Sequence, residues 1–166
     1  GETAMGNFPV QCVKTMSTIA ESIENNTHYW ERFLKLNTNY LISNRPNLIV
    51  GHSLCEVAMR MHAKAIFSLS SHGNTPIALS SFKPECPVYA ITSDLRTASQ
   101  LNLVWGVTPI LVDYSSNPED MIKTGINKAK EYGFVKDGDT VVIGGSDSHD
   151  KYGFKSKKTL GGIYVI

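Results

Sequence analysis

Short apolar runs along the second half of the chain have the length and composition of β-strands. They are rich in β-branched residues and are bounded by glycine, proline or small polar residues, which are typical turn formers. The predicted strands are residues 65–70, 88–92, 107–112, 140–143 and 160–166. The pattern therefore indicates five short strands.

Helical patterns separate most of these runs. Helices are predicted over residues 76–82, 93–103 and 118–132. Ser93 is expected to cap the second of them, with Asp94 in its first turn, because a hydroxyl can accept from the N–H groups exposed there. Asn117 and Pro118 predict a strong start for the third helix, since they combine a capping side chain with a proline at the first helical position.

Strands that alternate with helices predict an α/β fold. Right-handed crossovers place helices on both faces of a parallel sheet, so we expect a three-layer sandwich. It would have a mostly parallel five-stranded sheet with helices on both faces, plus N-terminal helices. Trp105 is expected in the core, with an interface as the alternative, and Gly144 and Gly145 are expected to form a tight turn after the fourth strand.

The N-terminal part of the chain predicts helices that precede the alternating units. Apolar residues recur every three or four positions on one face of a helix that starts near Pro9. These residues are Val10, Val13, Met16, Ile19 and Ile23. Such a stripe requires a partner surface. A short helix over 28–36 and a longer one over 47–63 follow, and Gly51 in the longer one is expected to allow close packing against a strand.

Composition restricts the class of protein. With 42% hydrophobic residues, 19% charged residues and a net charge of +1, the chain has the profile of neither a disordered nor a nucleic-acid-binding protein. No apolar run reaches the roughly 20 residues of a membrane helix and no signal-peptide pattern opens the chain, so we expect a cytoplasmic protein without a membrane partner. Cys12, Cys55 and Cys86 are widely spaced, which favours small buried or half-buried thiols over a disulfide framework or a zinc site.

The turn after the first strand is the main candidate for ligand binding. A strand, a glycine-centred polar turn and the start of a helix follow one another between residues 65 and 76. Unpaired backbone N–H groups and the positive end of a helix dipole favour an anion at such a place. The sequence contains neither a Walker-type G-x-x-x-x-G-K-[ST] motif nor a G-x-G-x-x-G motif after a strand.

Three segments resemble the pyruvate kinase family. GETAMGNFPVQCVKTM is similar to the family's G-E-T-A-x-G-x-(F/Y)-P-x-x-A-V segment, which forms the last turn and helix of its catalytic barrel. ITSDLRTASQLNLVWGVTPILV resembles a family stretch that ends in G-V-x-P, and YGFVKDGDTVVI is similar to its G-(F/L/W)-x-K-x-G-D-x-V-V-x run. Because the three occur in order at nearly the family's spacing, the chain is identified as a member.

The resemblance implies a division of the chain and a parent activity. Residues 1–27 would be the C-terminal helix of the catalytic barrel, and residues 28–166 the family's C-terminal α/β domain. The family transfers a phosphoryl group from phosphoenolpyruvate to ADP with Mg²⁺ and K⁺, whose ligands lie in barrel strands that would precede Gly1. No cofactor, metal ligand or catalytic residue is therefore expected here, and the chain alone should be inactive. The implied partners are its own barrel and further copies in a tetramer.

The family also implies an effector site in the turn after the first strand. A T-x-S-G-x-(S/T) motif there wraps a phosphate, and it aligns with Ser70, Ser71, His72, Gly73, Asn74 and Thr75. His72 replaces a serine, and Asn74 stands where many members carry arginine. The tryptophan and arginine that meet the second phosphate of a fructose-1,6-bisphosphate-type effector are absent, the arginine position being about Met121.

A basic segment is expected to face that turn. Residues 146–159 carry His149 and several lysines, of which Lys155, Lys157 and Lys158 are the candidates to hold an anion. The alternative is a solvated basic loop. Two functions follow from these alternatives: a domain that binds a phosphorylated small-molecule effector and contacts other subunits, or a purely structural and oligomerisation module that binds no effector.

Overall fold

The computed structural model describes residues 1–36, 46–147 and 158–166. Its five strands form one sheet in the order β3-β2-β1-β4-β5. The strands are β1 Ala65–Ser70, β2 Val88–Thr92, β3 Val107–Leu111, β4 Thr140–Asp147 and β5 Lys158–Val165. Neighbours among β1 to β4 pair in parallel, and β5 pairs antiparallel with β4. The predicted mostly parallel five-stranded sheet is therefore confirmed.

Seven helices lie in the described residues, four of them before the sheet begins. They are α1 Glu2–Met5, α2 Pro9–Asn25, α3 Tyr29–Leu34, α4 Pro46–Arg60, α5 Asn74–Ser81, α6 Leu95–Leu101 and α7 Pro118–Glu131. Asn117 caps α7 as predicted, because its side-chain oxygen accepts from the Glu119 N–H at 3.2 Å. The predicted cap of α6 is wrong by one residue. Asp94, not Ser93, is the N-cap, since its carboxylate accepts from the Thr97 N–H.

The core has two layers, one on each face of the sheet, which confirms the three-layer arrangement. Alternate residues of β1 point to opposite faces, as the pleat of a strand requires. Ile66 belongs to the layer that includes Leu54 of α4 and Leu79 of α5. Phe67 belongs to the other layer, with Met121 of α7. Both β1 residues have no exposed surface.

Two glycine predictions are corrected by the packing. Gly144 and Gly145 do not form a tight turn, because β4 continues through them to Asp147 and pairs with β5. A Cβ on Gly144 would lie 2.4 Å from Leu54 Cδ1, so the missing side chain lets α4 approach the strand. Gly51 packs against Ala78 of α5 and against Phe82, the C-cap of that helix, so its close neighbour is a helix and not the predicted strand.

The apolar stripe of α2 is exposed to solvent. The helix buries no residue, although Pro9 at its start and the spacing of its apolar positions are as predicted. Val10, Val13, Met16, Ile19 and Ile23 are 53–62% exposed. The stripe has no covering surface among the described residues.

Trp105 is only half-buried, so the prediction of a core position is wrong. Its ring lies beside Tyr29 of α3, with 5.2 Å between the centroids. Its indole N–H donates to Glu24 Oε1 of α2 at 3.0 Å. Trp105 thus connects the N-terminal helices to the start of β3.

Candidate functional site

The turn after β1 is closed by one hydrogen bond and one left-handed residue. Gly73 N–H donates to the side-chain oxygen of Ser70 at 3.0 Å, and Gly73 has a φ of 77°. That backbone conformation is one that glycine adopts without steric cost. The chain then enters α5 at Asn74, two residues earlier than predicted. Strand, turn and helix start follow one another as the sequence indicates.

The turn is held from the side by Thr97 of α6. The Thr97 hydroxyl oxygen lies 3.0 Å from the Ser71 carbonyl oxygen and 2.7 Å from Asp94 Oδ2, so its single proton is shared between two acceptors. The Thr97 N–H donates to the same carboxylate oxygen at 2.8 Å. These hydrogen bonds, the side-chain one first, lower the pKa of Asp94 below its usual value because they stabilise the charged form.

The residues of the turn differ in their exposure. Ser70, Gly73 and Thr75 are buried, and Thr75 is only 2% exposed. His72 and Asn74 are exposed. The turn therefore presents the side chains of His72 and Asn74 to solvent, while Ser70 and Thr75 lie buried.

The basic candidates fall mostly outside the described residues. Lys155 and Lys157 lie there, and Lys158 is described only through its backbone, as the first residue of β5. Ser70 is in register with Ser146 of β4, and Lys158 is paired with the next β4 residue, Asp147. Since neighbouring strands are about 4.8 Å apart, the backbone of Lys158 lies about 10 Å from the end of β1, on the same edge of the sheet.

The loops after β1, β2 and β3 lie at the same edge of the sheet, because these three strands are parallel. Asp94 N–H donates to the Thr92 hydroxyl at 3.2 Å and so starts the loop after β2, and residues 112–117 lead from β3 into α7. The fourth strand, β4, continues past Gly145 to Asp147. Asp94 and Thr97 were not predicted as supports of the turn after β1, although the D-x-x-T spacing at 94–97 is a capping pattern.

The thiols are buried or half-buried, as predicted. Cys55 and Cys86 are buried and Cys12 is half-buried, and none of the three forms a disulfide. Burial raises the pKa of the Cys86 thiol to about 12 and raises the pKa of Cys55 as well. Buried thiols with such raised pKa values are unreactive at neutral pH. Within the described part of the chain, no three acidic, histidine or cysteine side chains are grouped to hold a metal ion.

Residues 49–155 match the family described as "Pyruvate kinase, alpha/beta domain". The chain belongs to the pyruvate kinase α/β-domain family. This match confirms the resemblance found in the sequence motifs, and the C-terminal α/β domain of that family is the region that the sheet and its helices represent.

Curated pyruvate kinases from distant organisms are similar to most of the chain. The chain is 34% identical over 143 residues to "Pyruvate kinase" of Clostridium acetobutylicum, covering 86% of this chain and 30% of that protein. It is 36% identical over 148 residues to "Pyruvate kinase" of Lactobacillus delbrueckii subsp. bulgaricus, covering 86% of this chain and 24% of that protein. "Pyruvate kinase 2" of Candida glabrata is 34% identical over 148 residues, with 86% and 29% covered. The chain thus spans about a quarter to a third of the length of these relatives.

None of the helices in the described residues is long and apolar enough to span a membrane.

Proposed function

We propose that the chain is the effector-binding and subunit-contact domain of a pyruvate kinase that transfers a phosphoryl group from phosphoenolpyruvate to ADP. Family membership and the share of the relatives that the chain covers support this proposal. In the proposal, residues 1–27 form the last helix of the catalytic barrel. The exposed apolar stripe of α2 supports that assignment, because a helix of a barrel's outer ring buries such a face.

Catalysis in this proposal belongs to the longer enzyme. Phosphoryl transfer requires carboxylates for Mg²⁺ and a positive group near the transferred phosphoryl. We therefore assign Mg²⁺ and K⁺ to the complete enzyme, which would act as a cytoplasmic tetramer, and expect the 166-residue chain to be inactive. An assay of pyruvate formation by this chain, beside the full-length enzyme as a positive control, tests that part. Turnover by the chain alone would contradict it.

The effector site in this proposal is the turn of residues 70–75, and the observation that carries it is the open start of α5. The N–H groups of Asn74 and Thr75, the first two residues of α5, have no acceptor within the helix, and Asn74 and the nearby His72 are exposed. The left-handed Gly73 and the Thr97 hydrogen bond hold that backbone in one conformation, so a phosphate would meet donors that are already oriented. Lys155, Lys157 and Lys158 remain the proposed cations opposite the turn.

One observation favours the structural module as a second candidate function. The Ser70 hydroxyl already accepts from Gly73 N–H, and Thr75 is buried. Two hydroxyl groups that the family motif gives to the phosphate are thus directed into the protein. A domain of this kind would support the barrel and the subunit contacts without binding an effector.

A thermal-shift titration with fructose bisphosphate, glucose 6-phosphate and AMP separates the two candidates. A ligand present at about 100 times its Kd stabilises the folded state by about 2.7 kcal/mol, which is a measurable rise in Tm. Asn74→Asp should abolish the rise, because it places a negative charge at the exposed start of α5, where the phosphate would bind. Asn127→Asp is the matched control, since it makes the same charge change at an exposed position of α7. No rise with any of the three phosphates would favour the structural module. A rise that survives Asn74→Asp would mean that the phosphate binds outside the turn, and would contradict the proposed effector site.

A further inference from the structure

A further candidate site lies at the opposite edge of the sheet from the turn of residues 70–75. It is a cleft of about 380 Å³ between the end of α2, the start of α3 and the segments that lead into β2 and β3. Its walls include Glu24, Tyr29, Glu85 and Trp105. A volume in this range suits a small organic molecule.

The aromatic wall of the cleft already attracts a positive charge. The Lys83 ammonium lies 4.0 Å from the centroid of the Trp105 ring, which is the geometry of a cation–π contact. The Tyr29 ring is tilted at 44° to the indole. The indole N–H donates to Glu24 Oε1, and this hydrogen bond fixes the ring. The indole is thus held in one orientation, and a flat cation that stacks on it would compete with the Lys83 ammonium.

The two carboxylates of the cleft give it an excess of negative charge. Glu24 and Glu85 are both exposed, and the Lys83 ammonium lies on the Trp105 ring. Glu24 uses one oxygen for Trp105. Glu85 takes part in none of the hydrogen bonds or ion pairs found among residues 1–36, 46–147 and 158–166. The Glu85 carboxylate is therefore open to a ligand's donor groups.

We propose that this cleft binds a small planar organic cation of the amidinium or guanidinium class, with its N–H groups on Glu85 and its flat face against Trp105 or Tyr29. Such cations are weakly hydrated, stack on aromatic rings and bind carboxylates through two parallel hydrogen bonds. A compact ammonium ion offers neither the flat face nor the paired donors. The site goes beyond the proposed function, because none of the residues of the turn after β1 belongs to it.

Benzamidine and benzamide are the matched probes, because they have nearly the same shape and only benzamidine is charged at neutral pH. Ligand-observed saturation-transfer NMR and calorimetry on the 166-residue chain should detect benzamidine and not benzamide. Glu85→Gln should weaken benzamidine about tenfold, since it removes a charge-assisted hydrogen-bond acceptor. Lys83→Gln should strengthen binding severalfold, because it removes the competing cation from the Trp105 ring.

Glu131→Gln is the control for the charge change, since Glu131 is an exposed residue of α7 away from the cleft. It should leave the affinity for benzamidine unchanged. The proposal is overturned if neither probe binds, if both bind equally, or if Glu85→Gln and Glu131→Gln have the same effect. Because no phosphate takes part, these results are independent of the effector titration.

Discussion

The hydroxyl of Thr97 is the side-chain group that connects α6 to the turn after β1. Thr97→Val keeps the shape of the side chain but removes the proton that the Ser71 carbonyl and the Asp94 carboxylate share. Thr97 is 6% exposed, so water cannot fully replace the lost bond. We expect the free energy of unfolding to fall by about 1 to 2 kcal/mol, measured by urea denaturation.

Ser99→Ala is the matched control for this change. The Ser99 hydroxyl donates to the Leu95 carbonyl within the same helix, but its residue is exposed, so its loss should change stability by less than about 0.5 kcal/mol. Equal effects of the two substitutions would mean that the link to Ser71 contributes nothing specific.

Asp94 makes the stability of the same region dependent on pH. Its pKa is lowered in the folded protein by the Thr97 hydrogen bonds, so the folded state favours the carboxylate more than the unfolded chain does. The resulting stabilisation is complete above the ordinary aspartate pKa of about 4 and is lost as the pH falls through the lowered value. Asp94→Asn can still cap the helix but does not titrate. Urea midpoints measured between about pH 7 and pH 2 should therefore fall more for the wild type than for Asp94→Asn, and parallel curves would contradict this assignment.

Packing between α7 and β2 depends on the absence of a side chain at Gly125. A Cβ at this position would lie 2.5 Å from Ile91 Cδ1 and 2.7 Å from its Cγ1, and Ile91 has no exposed surface into which to move. Gly125→Ala should therefore destabilise the protein by about 1 to 3 kcal/mol, in spite of a helix-propensity gain of about 1 kcal/mol. Chemical denaturation measures this difference.

A double substitution distinguishes overpacking from a general disturbance of α7. Ile91→Val removes the Cδ1 atom that the new methyl group would meet first, so Gly125→Ala should cost less in the Ile91→Val background than in the wild type. Thr124→Ala, at the exposed neighbouring position, should have a small effect in either background. Additive losses in the double variant would rule out the clash as the cause.

Elements with local signals were predictable from the sequence. The five strands appear as β-branched runs between turn formers, and α7 begins where Asn117 and Pro118 predict it. The strand, turn and helix start around residues 70–75 were predictable for the same reason, since each depends on neighbours in the chain. The fold class follows because alternation of strands and helices restricts the possible topologies.

Features that depend on distant partners were not predictable. Ser93 and Asp94 are both good capping residues. With Asp94 as the cap, the Thr97 hydroxyl also contacts the carbonyl group of Ser71, 26 positions away in the chain. The half-buried position of Trp105 depends on Glu24, which is 81 positions away. The burial of Thr75 likewise arises from packing that no local pattern encodes. The residues of the candidate turn could therefore be identified from the sequence, but the direction in which the Ser70 and Thr75 hydroxyl groups point could not.

At the scale of the whole molecule, the exposed face of α2 is the feature most exceptional for a monomeric protein. Five apolar residues lie along one side of the helix, each more than half exposed. Soluble monomers rarely leave a contiguous apolar patch of this kind uncovered. In the proposed enzyme, the catalytic barrel covers it.

The isolated 166-residue chain is therefore expected to self-associate through α2. Sedimentation velocity over a range of protein concentrations should show a concentration-dependent rise in mean mass, because burial of apolar surface stabilises association by about 25 cal/mol per Å² before the entropic cost of binding. Ile19→Lys places a charge in the middle of the stripe and should shift the chain towards monomer. Thr18→Lys is the control, because it adds the same charge to α2 at an exposed polar position. It should leave the self-association unchanged. Neither substitution removes a buried residue, so circular dichroism should report an unchanged fold in both. A wild-type chain that stays monomeric at all concentrations would show that the α2 stripe does not mediate self-association.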